Sequence, residues 1–314
     1  MIDNPLVTVV IASYNHAQYI TKAIQSVLHQ TYENIELVIV DDGSKDDSHE
    51  VIRKFINHPK IKVLMNNENK GQSAVFNQAL AISSGKYVAF LPSDDWFLPE
   101  KTALQVAKME TCDNQVGVVY AAGERFFESS GETVGVKLPV HTGWIARDLL
   151  EKGNFIYPVT PLYRRTALEQ IRPSEKFIAE GEAIHLRIAL KFKYEYVDAV
   201  VAVMRDHGYN IGKDAERMQE QLISYFEWYF SLPEVPEEIR RLERYVLERI
   251  YRVKAMQLIF DVDNPIKGRE SIRKVLRLNS STFPLYLKLF VAYFFSWLPF
   301  SLRKKLRRSS TCRA

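Results

Sequence analysis

Two adjacent carboxylates, Asp94 and Asp95, follow an apolar run in the stretch FLPSDDWFLP, residues 90–99. Side by side they repel, and taking them out of water is costly unless a cation or strong donors lie opposite. A short acidic turn suits a hard divalent cation that keeps some water and also takes phosphate oxygens. Such a cation acts as a Lewis acid on a diphosphate leaving group. A second acidic pair, Asp41 and Asp42, ends another apolar run. A carboxylate there can accept from a base N–H or from ribose hydroxyls. Tyr14, after a third such run, offers a ring face on which a base can stack. Taken singly, each has a plainer alternative: a polar turn that caps the next helix, or a packed ring.

Strands must bring these turns to one edge. Residues 6–12, 35–40, 61–65, 87–91 and 116–121 are short β-branched or apolar runs, each stopped by a polar turn. Between them YITKAIQSVLHQ, residues 47–55 and residues 73–82 read as helices. Alternating strand and helix predicts an α/β fold with a mostly parallel, Rossmann-like sheet flanked by helices. Ligands of such sheets lie beyond the carboxyl ends of the strands, where SYN, DDGS and SDD all fall. Residues 124–165 read as irregular, 179–192 as a helix, 194–203 as a strand and 215–260 as helical.

Composition narrows the class. The 314 residues are 46% hydrophobic and 25% charged, ordinary for a soluble domain or two. The formal charge is +4, but the last twelve residues hold six Lys or Arg and no acid, so residues 1–302 carry −2. An acidic body argues against nucleic acid as a partner. Two distant cysteines, Cys112 and Cys312, make no disulfide framework or zinc spacing. The opening residues lack the basic and long apolar regions of a secretory leader. No G-x-x-x-x-G-K-[ST] and no G-x-G-x-x-G after the first strand is present, which excludes a P-loop ATPase and a typical dinucleotide dehydrogenase.

The segment VTVVIASYNHAQYITKAIQSVLHQTYENIELVIVDDGSKDDS resembles the opening of family 2 glycosyltransferases, which have the GT-A fold. NKGQSAVFNQAL resembles that family's N-x-G-x-x-x-A-x-N segment, and SSGKYVAFLPSDDWFLP its D-x-D region. IHLRIALKFKYEYVDAVVAVMRDHGYN resembles its later L-x-x-R and Y-R-x-H-x-x-N signatures. The resemblance spans residues 6–210 and implies an inverting transfer from a nucleotide-sugar, UDP- or dTDP-linked, with Mn2+ or Mg2+. It implies that the Ala12 backbone, Tyr14 and Asn15 hold the base, with Asp42 binding it and Asp41 supporting the turn. Gly71, Gln72 and Asn77 would line the donor site. Asp94 and Asp95 would hold ribose, metal and diphosphate, with Asp95 as the direct metal contact. Arg205 and His207 resemble the pair that closes over the diphosphate, His207 also serving the metal.

An inverting transfer needs a carboxylate to take the acceptor hydroxyl proton. The family has Glu-Asp before its L-x-x-R helix, whereas FIAEGEAIHLR places Gly181 at the Asp position when aligned on Arg187. Glu182 is the expected base, with Glu180 as alternate; either could instead cap the helix. The departure keeps a non-catalytic sugar-nucleotide-binding or scaffold relative open. A nucleotidyltransferase shares the sheet type and acidic metal site, but the Y-R-x-H-x-x-N-like segment speaks against it.

Residues 285–302 are apolar except for Lys288 and two serines, dense in aromatics, and followed by the basic cluster. The uncharged run is shorter than the ~20 residues of a spanning helix. Aromatics followed by cations suit a lipid interface with anionic headgroups; docking on the domain or on a partner copy in a homodimer is the alternative. The expected organisation is a glycosyltransferase domain over 1–212, with a nucleotide-binding half (1–121) and an acceptor half (122–212). A helical C-terminal region, 213–314, follows, its residues 283–314 forming a peripheral membrane segment. The chain would then work at the cytoplasmic face of the bacterial inner membrane, on a glycan or polyprenyl-linked acceptor of surface polysaccharide assembly such as O-antigen.

Overall fold

The computed structural model describes residues 4–177, 183–208, 215–278 and 283–308. Two compact units divide the chain, Met1–Asn210 and Ile211–Ala314.

The first unit is built on its apolar runs. Val7, Val9, Val10 and Ile11 of β1 (Val7–Ser13) are fully buried. So are Leu37, Val38, Ile39 and Val40 of β2 (Ile35–Asp41). Strands covered on both faces have no polar side to alternate with, which is why these runs are continuous. α1 (Ile20–Leu28) covers one face with Ile20, Ala23, Ile24 and Val27. Each large aliphatic side chain so buried contributes about 2 kcal/mol. α2 (Ser48–Arg53), β3 (Ile61–Met65), α3 (Gln72–Ile82) and β4 (Tyr87–Pro92) complete this half, in the parallel order β3-β2-β1-β4. Ser13 pairs with Asp41 and Ala12 with Pro92, so the polar turns after β1, β2 and β4 start at one level on one edge.

Glu36 ties the opposite edge together. Its Oε1 accepts from the Thr8 hydroxyl (2.7 Å), Ser84 N–H (2.6 Å) and Gly85 N–H (3.0 Å), and its Oε2 from Lys62 Nζ (2.8 Å). Burial raises its pKa, but Lys62, Ser84 and Thr8 outweigh it and hold the carboxyl at about 2. The folded pKa lies below the ordinary value of 4.5, so the stabilisation is present above pH 4.5 and lost as pH falls toward 2. Glu36→Gln is expected to cost ~3 kcal/mol at pH 7 and much less at pH 3. Urea denaturation of both proteins at the two pH values checks this; an equal deficit at both would refute it.

The second half of the sheet departs from the expected mostly parallel arrangement. β5 (Trp96–Phe97), α4 (Lys101–Glu110), β6 (Val116–Phe127), β7 (Glu132–Val136), α5 (Ala146–Lys152), β8 (Leu162–Arg164), α6 (Arg165–Gln170), α7 (Ile184–Ile188) and β9 (Lys193–Asp206) follow in sequence. The nine-stranded sheet continues β4-β8-β6-β9-β5, with β7 on β6. Only β6 and β9 pair in parallel here; β4–β8, β6–β8, β5–β9 and β6–β7 are antiparallel. Residues 124–165 are therefore not irregular: they hold the end of β6, then β7, α5 and β8. β6 breaks register with β9 beside Gly123. There the Tyr157 ring lies against the backbone, and a Cβ would sit 2.1 Å from a ring carbon.

The second unit is helical: α8 (Ala215–Ser231), α9 (Glu237–Arg240), α10 (Glu243–Phe260), α11 (Pro265–Leu278), α12 (Phe283–Phe295) and α13 (Phe300–Arg308). Residues 215–260 are helical as expected, in three pieces, because Pro233 and Pro236 interrupt the run and Pro236 caps α9. Arg303, one of the six tail cations, is buried and donates to the Ile259 carbonyl and to Asp263. Among the described residues no helix is long and apolar enough to cross a membrane.

Candidate functional site

The first and second turns are sewn together. Asp42 N–H donates to the Ser13 carbonyl (2.8 Å) and Asn15 N–H to Ser44 Oγ (2.8 Å). Lys45 N–H returns to Asn15 Oδ1 (2.7 Å). Asn15 has φ +54, a left-handed conformation that asparagine tolerates and that turns the chain sharply after Tyr14. Asp41 is fully buried and accepts from Ser44 N–H (2.9 Å) and Ser44 Oγ (2.6 Å), with His49 Nε2 at 2.8 Å. It braces the turn. Gly43, φ +76, is required twice over, since a Cβ would also lie 2.7 Å from the Glu68 backbone. Tyr14 leaves the turn 43% exposed, its ring free to take a flat partner.

Asp42 faces the loop before α3. Its Oδ1 accepts from Asn66 Nδ2 (3.0 Å) and Lys70 N–H (2.9 Å), and its Oδ2 from Gly71 N–H (2.8 Å). The carboxylate thus fixes Gly71 and Gln72 at the start of α3, a second task beside any contact to a base. Asn77, one turn further on, points elsewhere: its amide donates to the Pro173 carbonyl (3.0 Å) and to Glu175 (2.8 Å).

The third turn meets the end of β9. Ser93 N–H donates to the Ala12 carbonyl (3.2 Å), which sets the acidic pair beside β1. Asp94 Oδ2 lies 3.0 Å from His207 Nε2. His16 approaches from the first turn, its Nδ1 2.8 Å from Ser93 Oγ. One ligand atom each from His16, Asp94 and His207 falls within 4.8 Å of the others. Burial lowers the His16 pKa, with Asp94 opposing, which favours the neutral ring that can ligate. Asp95, expected as the direct metal contact, lies outside this trio. It is buried, and its Oδ1 accepts Arg205 N–H at 2.7 Å. Burial and the neighbouring Asp94 raise its pKa well above the usual carboxylate range.

Two cations flank the acidic turn. Arg205 donates from Nε to the Asp94 carbonyl (3.1 Å), pairs with Glu128 (3.3 Å) and lies 4.7 Å over the Tyr19 ring. Lys22 Nζ sits 3.2 Å from the centre of the Trp96 ring. Sequence reasoning missed His16 and Lys22. The only signals were a histidine directly after the SYN turn and a lysine in the first turn of α1. The proposed bases Glu180 and Glu182 lie outside the described residues.

The arrangement offers a stacking face, an imidazole and carboxylate trio that could hold a cation, and two positive charges for an anion. The chain matches the family described as glycosyl transferase family 2 over residues 8–172. An uncharacterised glycosyltransferase of Nostoc sp., alr2836, is 36% identical over 217 residues, 65% of this chain and 66% of that protein. The Escherichia coli UDP-Glc:alpha-D-GlcNAc-diphosphoundecaprenol beta-1,3-glucosyltransferase WfaP is 43% identical over 106 residues, 34% of this chain and 42% of its own. The chain thus spans between two fifths and two thirds of these relatives. The S. aureus TarS 1-349 structure in complex with UDP-GlcNAc superposes with a TM-score of 0.66 at 17% identity, over 96% of this chain and 91% of that one. At that identity the likeness speaks for the fold. On the family match and the shared architecture together, this chain belongs to glycosyl transferase family 2 and has the GT-A fold.

Proposed function

We propose that the chain moves a sugar, with inversion, from a UDP- or dTDP-linked donor to a glycan or polyprenyl-linked acceptor in bacterial surface-polysaccharide assembly. One observation carries the reading: turns around residues 14, 42 and 94, far apart in sequence, meet on one sheet edge beside two cations and a His/Asp/His trio spaced as cation ligands are. The donor named for WfaP and the nucleotide-sugar in the TarS structure support a uridine donor. The acceptor in the WfaP name supports a lipid-linked one.

Each residue then has a task. Tyr14 stacks the base against the turn held by Asn15 and Asp41, with the Ala12 backbone beside it. Asp42 takes the base edge while holding Gly71 and Gln72 against the donor. Arg205 and Lys22 offset the negative charge that grows on the departing diphosphate. Glu182, with Glu180 as alternate, takes the acceptor proton. A divalent cation, Mn2+ or Mg2+, would supply Lewis-acid stabilisation of the leaving diphosphate. The chemistry of His16, Asp94 and His207 fits such an ion. A melting-temperature screen of UDP- and dTDP-sugars with each cation tests the reading, because ligands of the folded state raise Tm. Failure of every donor to raise it with either cation, together with no radiolabelled transfer to a polyprenyl-linked acceptor, would overturn the reading.

Residues 1–212 would carry the chemistry and 213–314 the placement. On α12 and the turn after it, Phe290, Phe294 and Trp297 are 60%, 56% and 68% exposed at helical spacing, with Lys304 and Lys305 exposed on α13. Aromatics beside cations match an anionic interface, so the protein would sit peripherally on the cytoplasmic face of the inner membrane. Changing all three aromatics to serine is expected to reduce binding to phosphatidylglycerol vesicles by about tenfold or more. Unchanged vesicle binding with a halved mass in solution would instead make this face a homodimer contact.

A further inference from the structure

We infer that His16 is a direct ligand of the cation, and that the site it completes selects Mn2+ over Mg2+. The inference rests on the proposed cation-dependent transfer and names the ion and the residue that chooses it.

Position is the first argument. The backbone at His16 is pinned by the second turn on every side. Asn15 N–H donates to Ser44 Oγ (2.8 Å), His16 N–H to Ser48 Oγ (3.1 Å) and Ala17 N–H to Asp46 (2.9 Å). A ring on so fixed a backbone has few places to go. Tyr19 holds it edge-on at 5.7 Å while stacking on His207 at 5.0 Å, so one tyrosine sets both imidazoles. Ser93, adjacent to Asp94, orients the ring through Nδ1. A fixed ring with one nitrogen hydrogen-bonded is the usual state of a ligating histidine.

Spacing is the second. Ligands at about 2.1 Å from one ion stand about 3–4 Å apart. Asp94 Oδ2 and His207 Nε2 are already at 3.0 Å, and the trio lies within 4.8 Å. A small inward shift of His16 closes the set and leaves the remaining positions for water and diphosphate oxygens.

Donor chemistry is the third. Mg2+ demands oxygen ligands and rigid octahedral geometry, whereas first-row transition ions accept imidazole nitrogen, Mn2+ the least avid of them but more so than Mg2+. One carboxylate and two imidazoles form a poor Mg2+ site and a sound one for Mn2+. Without His16, one carboxylate and one imidazole remain, and the preference weakens.

The test uses the full chain and Mn2+ itself, with and without UDP. Electron spin echo spectra of bound Mn2+ should show two imidazole nitrogens in the wild type and one in His16→Gln. The variant's Mn2+ affinity should fall about tenfold or more. A hundredfold excess of Mg2+ should displace Mn2+ from the variant but not from the wild type. Ser93→Ala, which removes the orienting hydroxyl and no ligand, should keep both nitrogens. Two nitrogens persisting in a folded His16→Gln would overturn the inference. So would Mg2+ displacing Mn2+ equally from both proteins, or no Mn2+ binding under either condition. Two-nitrogen Mn2+ binding without turnover of any sugar nucleotide would leave this inference standing and sink the transfer reading. Turnover on Mg2+ that is indifferent to His16→Gln would do the reverse.

Discussion

Asp94→Asn is expected to remove cation-dependent donor binding and to lower turnover by about a thousandfold or more, with the fold intact. The two neighbouring carboxylates are not equivalent. Asp94 stands with His16 and His207 in the trio that could hold a cation, while Asp95 is buried and holds the Arg205 backbone. Asparagine keeps the shape of Asp94 but loses the one anionic ligand among three, so a cation facing a diphosphate is held by neutral groups alone. Losing stabilisation of a leaving group that gathers charge only in the transition state is worth about 4 kcal/mol, or a thousandfold. Asp95→Asn should disturb metal affinity far less and act through Arg205, whose guanidinium lies over Tyr19 and pairs with Glu128. Mn2+ titration followed by single-turnover kinetics on both variants separates the roles. If Asp94→Asn keeps Mn2+ affinity and turnover within tenfold of wild type, the trio is not the cation site.

Why the acidic turns were legible from local pattern, while Asp94 and His207 came to the metal only through the family resemblance and His16 not at all, follows from the range of the interactions. β1, β2 and β4 are largely covered on both faces, so burial leaves a local trace: a mostly apolar run, then a polar turn. Parallel pairing with short helical crossovers brings those turns to one edge, and the order of elements suffices to foresee it. β8 leaves no such trace. It is three residues long and owes its place to β4 and β6 on either side, contacts invisible in its own sequence. β7 is an exposed hairpin arm, held by pairing to β6 and not by an apolar face. His16, Asp94 and His207 come from three distant loops. No spacing rule links them, and a lone histidine after a turn is ordinary until the third dimension places Asp94 against it. Lys22 was hidden the same way, on a helix whose pattern is set by the core and not by the Trp96 ring it covers.

Glu182→Gln is expected to cut turnover by about a hundredfold to ten-thousandfold while leaving donor affinity unchanged. An acceptor hydroxyl is a weak nucleophile and must lose its proton as it attacks. Glutamine fills the same space and cannot take it. Glu182 lies outside the described residues, but both flanks of its segment are held to the first unit. On the early side Asn77 donates to Pro173 and Glu175. On the later side His185 is fully enclosed between Tyr163 (3.3 Å) and Tyr194 (3.1 Å). Burial brings its pKa down to about 3, so it stays a neutral hydrogen-bonding anchor across the working range. Arg187 Nη1 adds a bond to the Arg172 carbonyl (2.9 Å), tying the two flanks to each other. The loss should appear in kcat, and the acidic limb of the rate–pH profile should vanish with the carboxylate. A wild-type rate in Glu182→Gln with a lost one in Glu180→Gln would move the role two residues back. Wild-type rates in both would show that transfer uses neither.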